Sequence, residues 1–137
     1  MAVVTDLFQS EENGTVSFGD YTLETKAKKD GIEFEGDLYK IKTYKTMTKL
    51  DKNGQLIFES VPGSSVHGFV ATTDGVAFDV ESAEDVQITL EVEPEKEYIV
   101  YIDNTNVGTI KANLAGKLTI GVELNEGRPA SVRVKKL

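Results

Sequence analysis

Apolar and polar residues alternate with a period of two along most of this chain. Val76, Phe78 and Val80 alternate with Ala77, Asp79 and Glu81; Val86, Ile88, Leu90 and Val92 alternate with Gln87, Thr89 and Glu91. Leu118, Ile120, Val122 and Leu124 repeat the pattern, as do Val132 and Val134. This is the pattern of strands with one face in a core and one in water. No stretch holds the 3–4 spacing of a helix. Asn13-Gly14, Asp30-Gly31, Asn53-Gly54, Asp74-Gly75, Asn104-Thr105-Asn106 and Ala115-Gly116 separate the runs as turns, because Asn, Asp and Gly tolerate positive φ. The spacing predicts an all-β fold, an antiparallel β-sandwich of about a dozen short strands. They are placed at 15–18, 21–27, 31–36, 38–49, 55–60, 66–71, 76–81, 86–93, 97–103, 107–112, 117–124 and 130–136. In the longest run, 38–49, Tyr39, Ile41 and Met47 share one face and Lys40, Lys42 and Tyr44 the other. A strand this long is expected to bend, bulge or overhang.

Val61-Pro62-Gly63-Ser64-Ser65 is the one Pro-Gly-Ser cluster. It divides the chain into an N-terminal β region, 1–65, and a β-sandwich, 66–137, or links two sheets of one continuous domain. The first dozen residues are weakly patterned and read as a short arm, or as a strand that pairs with a neighbour. At 137 residues the chain can bury a core without staples. It has no cysteine, which removes disulfides, Cys-based zinc sites and a Cys nucleophile, and leans towards a reducing compartment. Met1–Ser10 has neither the basic start nor the apolar run of a signal peptide. The apolar stretches are too short for a membrane span. A cytoplasmic protein without membrane contact is the expectation. Asn13-Gly14-Thr15 fits a glycosylation sequon but reads as a turn.

Net charge is −8, which argues against nucleic acid as a partner. The charge is unevenly spread. Residues 26–52 hold eight lysines (26, 28, 29, 40, 42, 45, 49, 52) against five acids, a balance of +3. The remainder holds seven basic and eighteen acidic residues, a balance of −11. A lysine-rich strand region resists edge-to-edge aggregation. It also suits an anion-binding face, or one half of a charge-complementary self-association that makes a homo-oligomer.

Familiar catalytic patterns are weak. His67 is the sole histidine; with Ser64, Ser65 and Asp74 nearby it supplies the residue types of a triad, but such close neighbours along one strand usually point apart. Glu33 with Glu35, and Glu91 with Glu93, share strand faces, yet these are solvent faces, where neither pKa would be raised for glycoside hydrolysis. Asp103–Gly108 has Thr105 and Val107 at the ligand positions of a calcium loop, so that pattern fails. No phosphate-binding glycine motif occurs. No cofactor and no metal are expected, and the balance leans away from an enzyme. Among the aromatics, Tyr44, with Lys40 and Lys42 on the same face, is the best candidate for stacking on a sugar ring.

The segment Val92-Glu93-Pro94-Glu95-Lys96-Glu97-Tyr98-Ile99-Val100 resembles the corner before a late strand in fibronectin type III and immunoglobulin-like domains. With the hairpin-like Tyr101–Thr109, the resemblance covers roughly 66–137. It implies that Tyr98 bonds back to the backbone of the loop holding Pro94, and that the C-terminal half is immunoglobulin-like. The usual core Trp is missing. Across the whole chain, GTVSFGDYTL (14–23), EFEGDLYKIKTYK (33–45), FESVPGSSV (58–66) and NVGTIKANLAGKLT (106–119) are similar to small clostridial proteins commonly labelled endosialidase. That resemblance implies hydrolysis of polysialic acid. Sialidases generally use an arginine cluster and Trp-containing boxes; this chain has two arginines, Arg128 and Arg133, and no Trp. It is also short for a propeller.

Three functions follow in order: a non-enzymatic sandwich acting by binding or homotypic self-assembly, a glycan-binding module, and a glycosidase on sialylated polymers.

Overall fold

The computed structural model describes residues 4–137. Among them are thirteen strands: β1 Phe8–Ser10, β2 Val16–Phe18, β3 Ala27–Phe34, β4 Asp37–Tyr44, β5 Met47–Lys52, β6 Gln55–Val61, β7 Ser65–Thr72, β8 Gly75–Glu81, β9 Val86–Glu91, β10 Glu97–Ile102, β11 Thr105–Lys111, β12 Lys117–Val122 and β13 Ala130–Lys136. They form a seven-stranded sheet, β1-β2-β7-β8-β13-β10-β11, and a six-stranded sheet, β12-β9-β6-β5-β4-β3. Every pairing is antiparallel. The two sheets enclose one apolar core, so the expected β-sandwich is the fold. Both sheets take strands from either side of residue 65, and the core cluster runs from Phe8 to Val134. Phe58 of one sheet meets Phe18, Phe69 and Phe78 of the other, with ring centroids 5.1–6.1 Å apart at near-perpendicular angles. That is the favoured edge-to-face geometry.

Several elements differ from the sequence expectation. The run 38–49 is a hairpin rather than one long strand. Tyr44 pairs with Met47, and Lys45-Thr46 make the turn. The reversal puts Met47 opposite Tyr44, on the lysine face, because cross-strand partners share a face. The turn carries no Gly or Asn; tertiary contacts hold it instead. Lys45 N–H donates to Leu23 O (2.8 Å), Gly63 N–H donates to Lys45 O (3.0 Å), and Lys45 Nζ pairs with Glu24 (2.7 Å). The segment 21–26 is loop, and only Ala27 of the expected 21–27 strand joins a sheet. Asp30-Gly31 is a bulge inside β3, between Lys29 and Ile32. The turn expected at 104–106 sits at Asp103-Asn104, both at positive φ (51° and 66°). Phe8–Ser10, within the presumed arm, pairs with β2 of the same chain.

A buried polar knot joins the two sheets where β6 hands over to β7. Thr48 Oγ1 donates to Ser64 O (2.8 Å) and accepts from Ser64 N (3.0 Å). Thr48 has one hydroxyl proton, so in its 2.8 Å contact with Thr43 Oγ1 the donor is Thr43. Thr43 Oγ1 in turn accepts from Asp20 N (2.9 Å). Ser60 Oγ bonds Ser64 Oγ (2.7 Å), and Ser82 Oγ donates to Gly63 O (2.6 Å). Buried polar groups are tolerated only when paired in this way.

Candidate functional site

The outer face of β3–β4–β5 carries the basic cluster. Alternation along β4 buries Tyr39, Ile41 and Thr43 and turns Lys40, Lys42 and Tyr44 outward. The registers then set Lys28, Lys42 and Lys49 directly opposite one another across three adjacent strands. Their backbones are about 4.8 Å apart from strand to strand. Lys40 lies two residues along β4 from Lys42, and Lys26 lies over the Tyr44 ring, 6.0 Å from its centroid. Two acids share the face: Glu59 opposite Lys49 and Asp51 opposite Lys40.

Like charges placed directly across a sheet are destabilising. The strain registers on Lys42, whose ammonium is pushed below the ordinary lysine range by Lys40 first, then by loss of solvent, then by Lys28, Lys49 and Lys26. Elsewhere lysines find acids: Lys45 with Glu24, Lys52 with Asp37, Lys117 with Glu91 and Lys136 with Glu93. Among the described residues, no such ion pair relieves Lys26, Lys28, Lys40, Lys42 or Lys49. The array spreads across the outer face of three adjacent strands. Its chemistry is therefore multipoint attraction of an extended anion, not enclosure of a small molecule. Lys40, Lys42 and Tyr44 were legible in the sequence. Lys49 was not, because its place beside Lys42 depends on the hairpin at 45–46.

The other sequence candidates lie apart. Tyr98 is buried, and its hydroxyl accepts from Glu93 N–H (3.0 Å); Pro94 packs over Gly116. Ser64 points into the polar knot, and Asp74 sits in the β7–β8 turn, so neither faces His67, whose cross-strand neighbour is Asp79. Glu33 is exposed on β3 and Glu35 sits in a turn at φ 52°. Glu91 pairs with Lys117. Glu93 accepts from Lys136 Nζ (2.7 Å), and that bond and charge hold its carboxyl below the usual range, opposite to the need of a general acid. Asp103 Oδ1 and Asn106 Oδ1 accept from backbone amides around the β10–β11 hairpin (3.0 and 2.9 Å). Asn13 of the sequon closes its own turn, accepting from Thr15 N and Oγ1.

A hollow of about 750 Å³ that sequence reasoning did not assemble brings His67 together with Asp79, Glu11 and Ser17. Ser17 Oγ donates to Glu11 (2.9 Å) and accepts from Gly68 N (3.1 Å). Burial pushes the His67 pKa down from 6.5, against the pull of Glu81, Asp79 and Glu11. The folded state thus favours the neutral imidazole. This contribution to stability is full above pH 6.5 and is lost as pH falls below it. Thermal unfolding of wild type is expected to weaken between pH 7.5 and 5.5 more steeply than that of His67→Gln. Equal slopes would show that His67 is not the group responsible.

No protein-family model, no curated protein and no solved structure matches the chain.

Proposed function

We propose that this protein works by binding rather than catalysis, and that the lysine face of β3–β4–β5 holds an extended anionic partner. The observation that carries this reading is the direct row Lys28–Lys42–Lys49, for which no ion pair is found among the described residues, in a chain of net charge −8. A cost in stability borne at one place suits a contact made there with something of opposite charge.

Polyglutamate is a suitable probe, titrated against the protein by fluorescence anisotropy. Binding is expected at low ionic strength and should fade with added salt, since exposed charges are screened beyond about 10 Å at 0.1 M. The double variant K42E/K49E should bind roughly ten-fold more weakly or worse. Undiminished binding by that variant would remove the face from the argument.

A second reading, a glycan-binding module, is favoured by Tyr44 at the end of the same lysine array. Polysialic acid, itself a polycarboxylate, would then bind this face, and Tyr44→Ala would weaken it more than it weakens polyglutamate. The Lys26 ammonium over the Tyr44 ring competes for the surface on which a sugar would stack. Incubation is expected to leave the polymer full length. Newly formed short oligomers would favour the glycosidase reading instead.

A further inference from the structure

We infer that the edge of the lysine-bearing sheet binds a second copy of this chain, joined edge to edge so that the six-stranded sheet continues from molecule to molecule. This rests on the binding role proposed for the lysine face and extends it to its edge strand β3, where Lys28 closes the row. The six-stranded sheet has two free edges, β3 and β12. Its strands alternate in direction at every step, so with six of them the two edges run antiparallel to each other. A copy shifted sideways without turning therefore presents its β3 antiparallel to β12, continuing the sheet's own pattern. The seven-stranded sheet lacks this property: its edges β1 and β11 run parallel.

The charges along the two edges match in that same sense. Lys26, Lys28 and Lys29 stand at the start of β3, and Asp30, Glu33 and Glu35 follow. On β12 the order is basic then acidic, from Lys117 at the start to Glu123 just past the end, with Asp85 bonded beside it to Leu124 N (2.9 Å). Antiparallel docking sets the lysines of β3 beside Glu123 and Asp85 at the end of β12, while Lys117 at its start is held inward by Leu56 O (2.9 Å) and Glu91 (3.4 Å). Lys28, Lys29 and Glu123 are all exposed. Along β12 an open groove of about 590 Å³ runs to β11, with apolar Val107, Ile110 and Ile120 and with Asp103 and Glu123 among its lining. An added strand would cover it. A contact of this kind is head-to-tail, and repeats into a chain of molecules.

Light scattering after size exclusion tests this with three proteins: wild type, K28E/K29E and E123K. Wild type is expected to form reversible oligomers whose mean mass rises with concentration and falls with salt. Each variant alone has two like-charged edges and should associate at least about ten-fold more weakly. Mixing the variants restores both opposite-charge edge pairs, so the mixture should assemble where neither component does. That rescue also shows that both variants are folded. Either variant assembling alone like wild type, or a mixture that stays monomeric, would overturn the inference. A wild type that is monomeric at every concentration and salt, yet binds polyglutamate through Lys42 and Lys49, overturns the edge contact and leaves the binding role standing. Failure of both removes both.

Discussion

Replacing Gly63 by alanine is expected to lower the unfolding free energy by about 3 kcal/mol or more, a size that marks overpacking against rigid structure. An alanine Cβ at this position would fall 1.9 Å from Tyr44 O and 3.1 Å from the Tyr44 carbonyl carbon. The obstacle is backbone, so no side-chain rotation relieves it. Nor can the segment easily withdraw. Gly63 N–H donates to Lys45 O, and Gly63 O accepts from Ser82 Oγ. Gly63 has no positive φ, so the cost is steric rather than conformational. Gly121→Ala on β12 is the control, because its Cβ meets nothing within 4 Å and its φ is also not positive. It should stay within about 0.5 kcal/mol of wild type. Urea unfolding of the pair checks the contrast. A Gly63→Ala protein within about 1 kcal/mol of wild type would mean that the 44–47 turn yields, and that it does not rigidly align Lys42 with Lys49.

Thr48→Val is expected to cost about 3 kcal/mol, since each buried polar group left without a partner costs roughly 1–3 kcal/mol. Valine keeps the shape of threonine but removes the acceptor for Ser64 N, the donor for Ser64 O and the partner of Thr43 Oγ1 at one stroke. All of these groups lie in residues that are fully buried, so water does not replace what is lost. Thr48→Ser separates the two contributions. It keeps the hydroxyl and loses one methyl, at about 1 kcal/mol. If the valine variant proved as stable as the serine variant, the knot would be a passenger of the fold and not one of its ties.

The regular hairpins were readable because their physics is local. Asn53-Gly54 closes the β5–β6 hairpin with both residues at positive φ (52° and 82°), as those residue types permit. The turn at Lys45-Thr46 has no such mark. It forms because Leu23 and Gly63, distant in sequence, bond its backbone. Without that turn, 38–49 looks like one strand, and Lys49 cannot be placed beside Lys42. The same limit applies to Asp30-Gly31. Turn chemistry and a β-bulge both ask for a glycine at positive φ, and only the pairing of β3 with β4 distinguishes them. The hollow around His67 was hidden for a related reason: Glu11, Ser17, His67 and Asp79 come from four different segments.

Alternating hydrophobicity by itself determined that this chain is all-β, that it forms an antiparallel sandwich, and which side of most strands is buried, because a pleated strand with one wet face imposes a period of two. Composition determined that no thiol chemistry is available and that the lysines are concentrated in 26–52. Only the tertiary structure decided which lysines become neighbours, which strands are left as edges, and that the two edges of the six-stranded sheet run in opposite senses with complementary charges. Those features depend on strand order and register, and both are set by contacts between residues far apart in the chain.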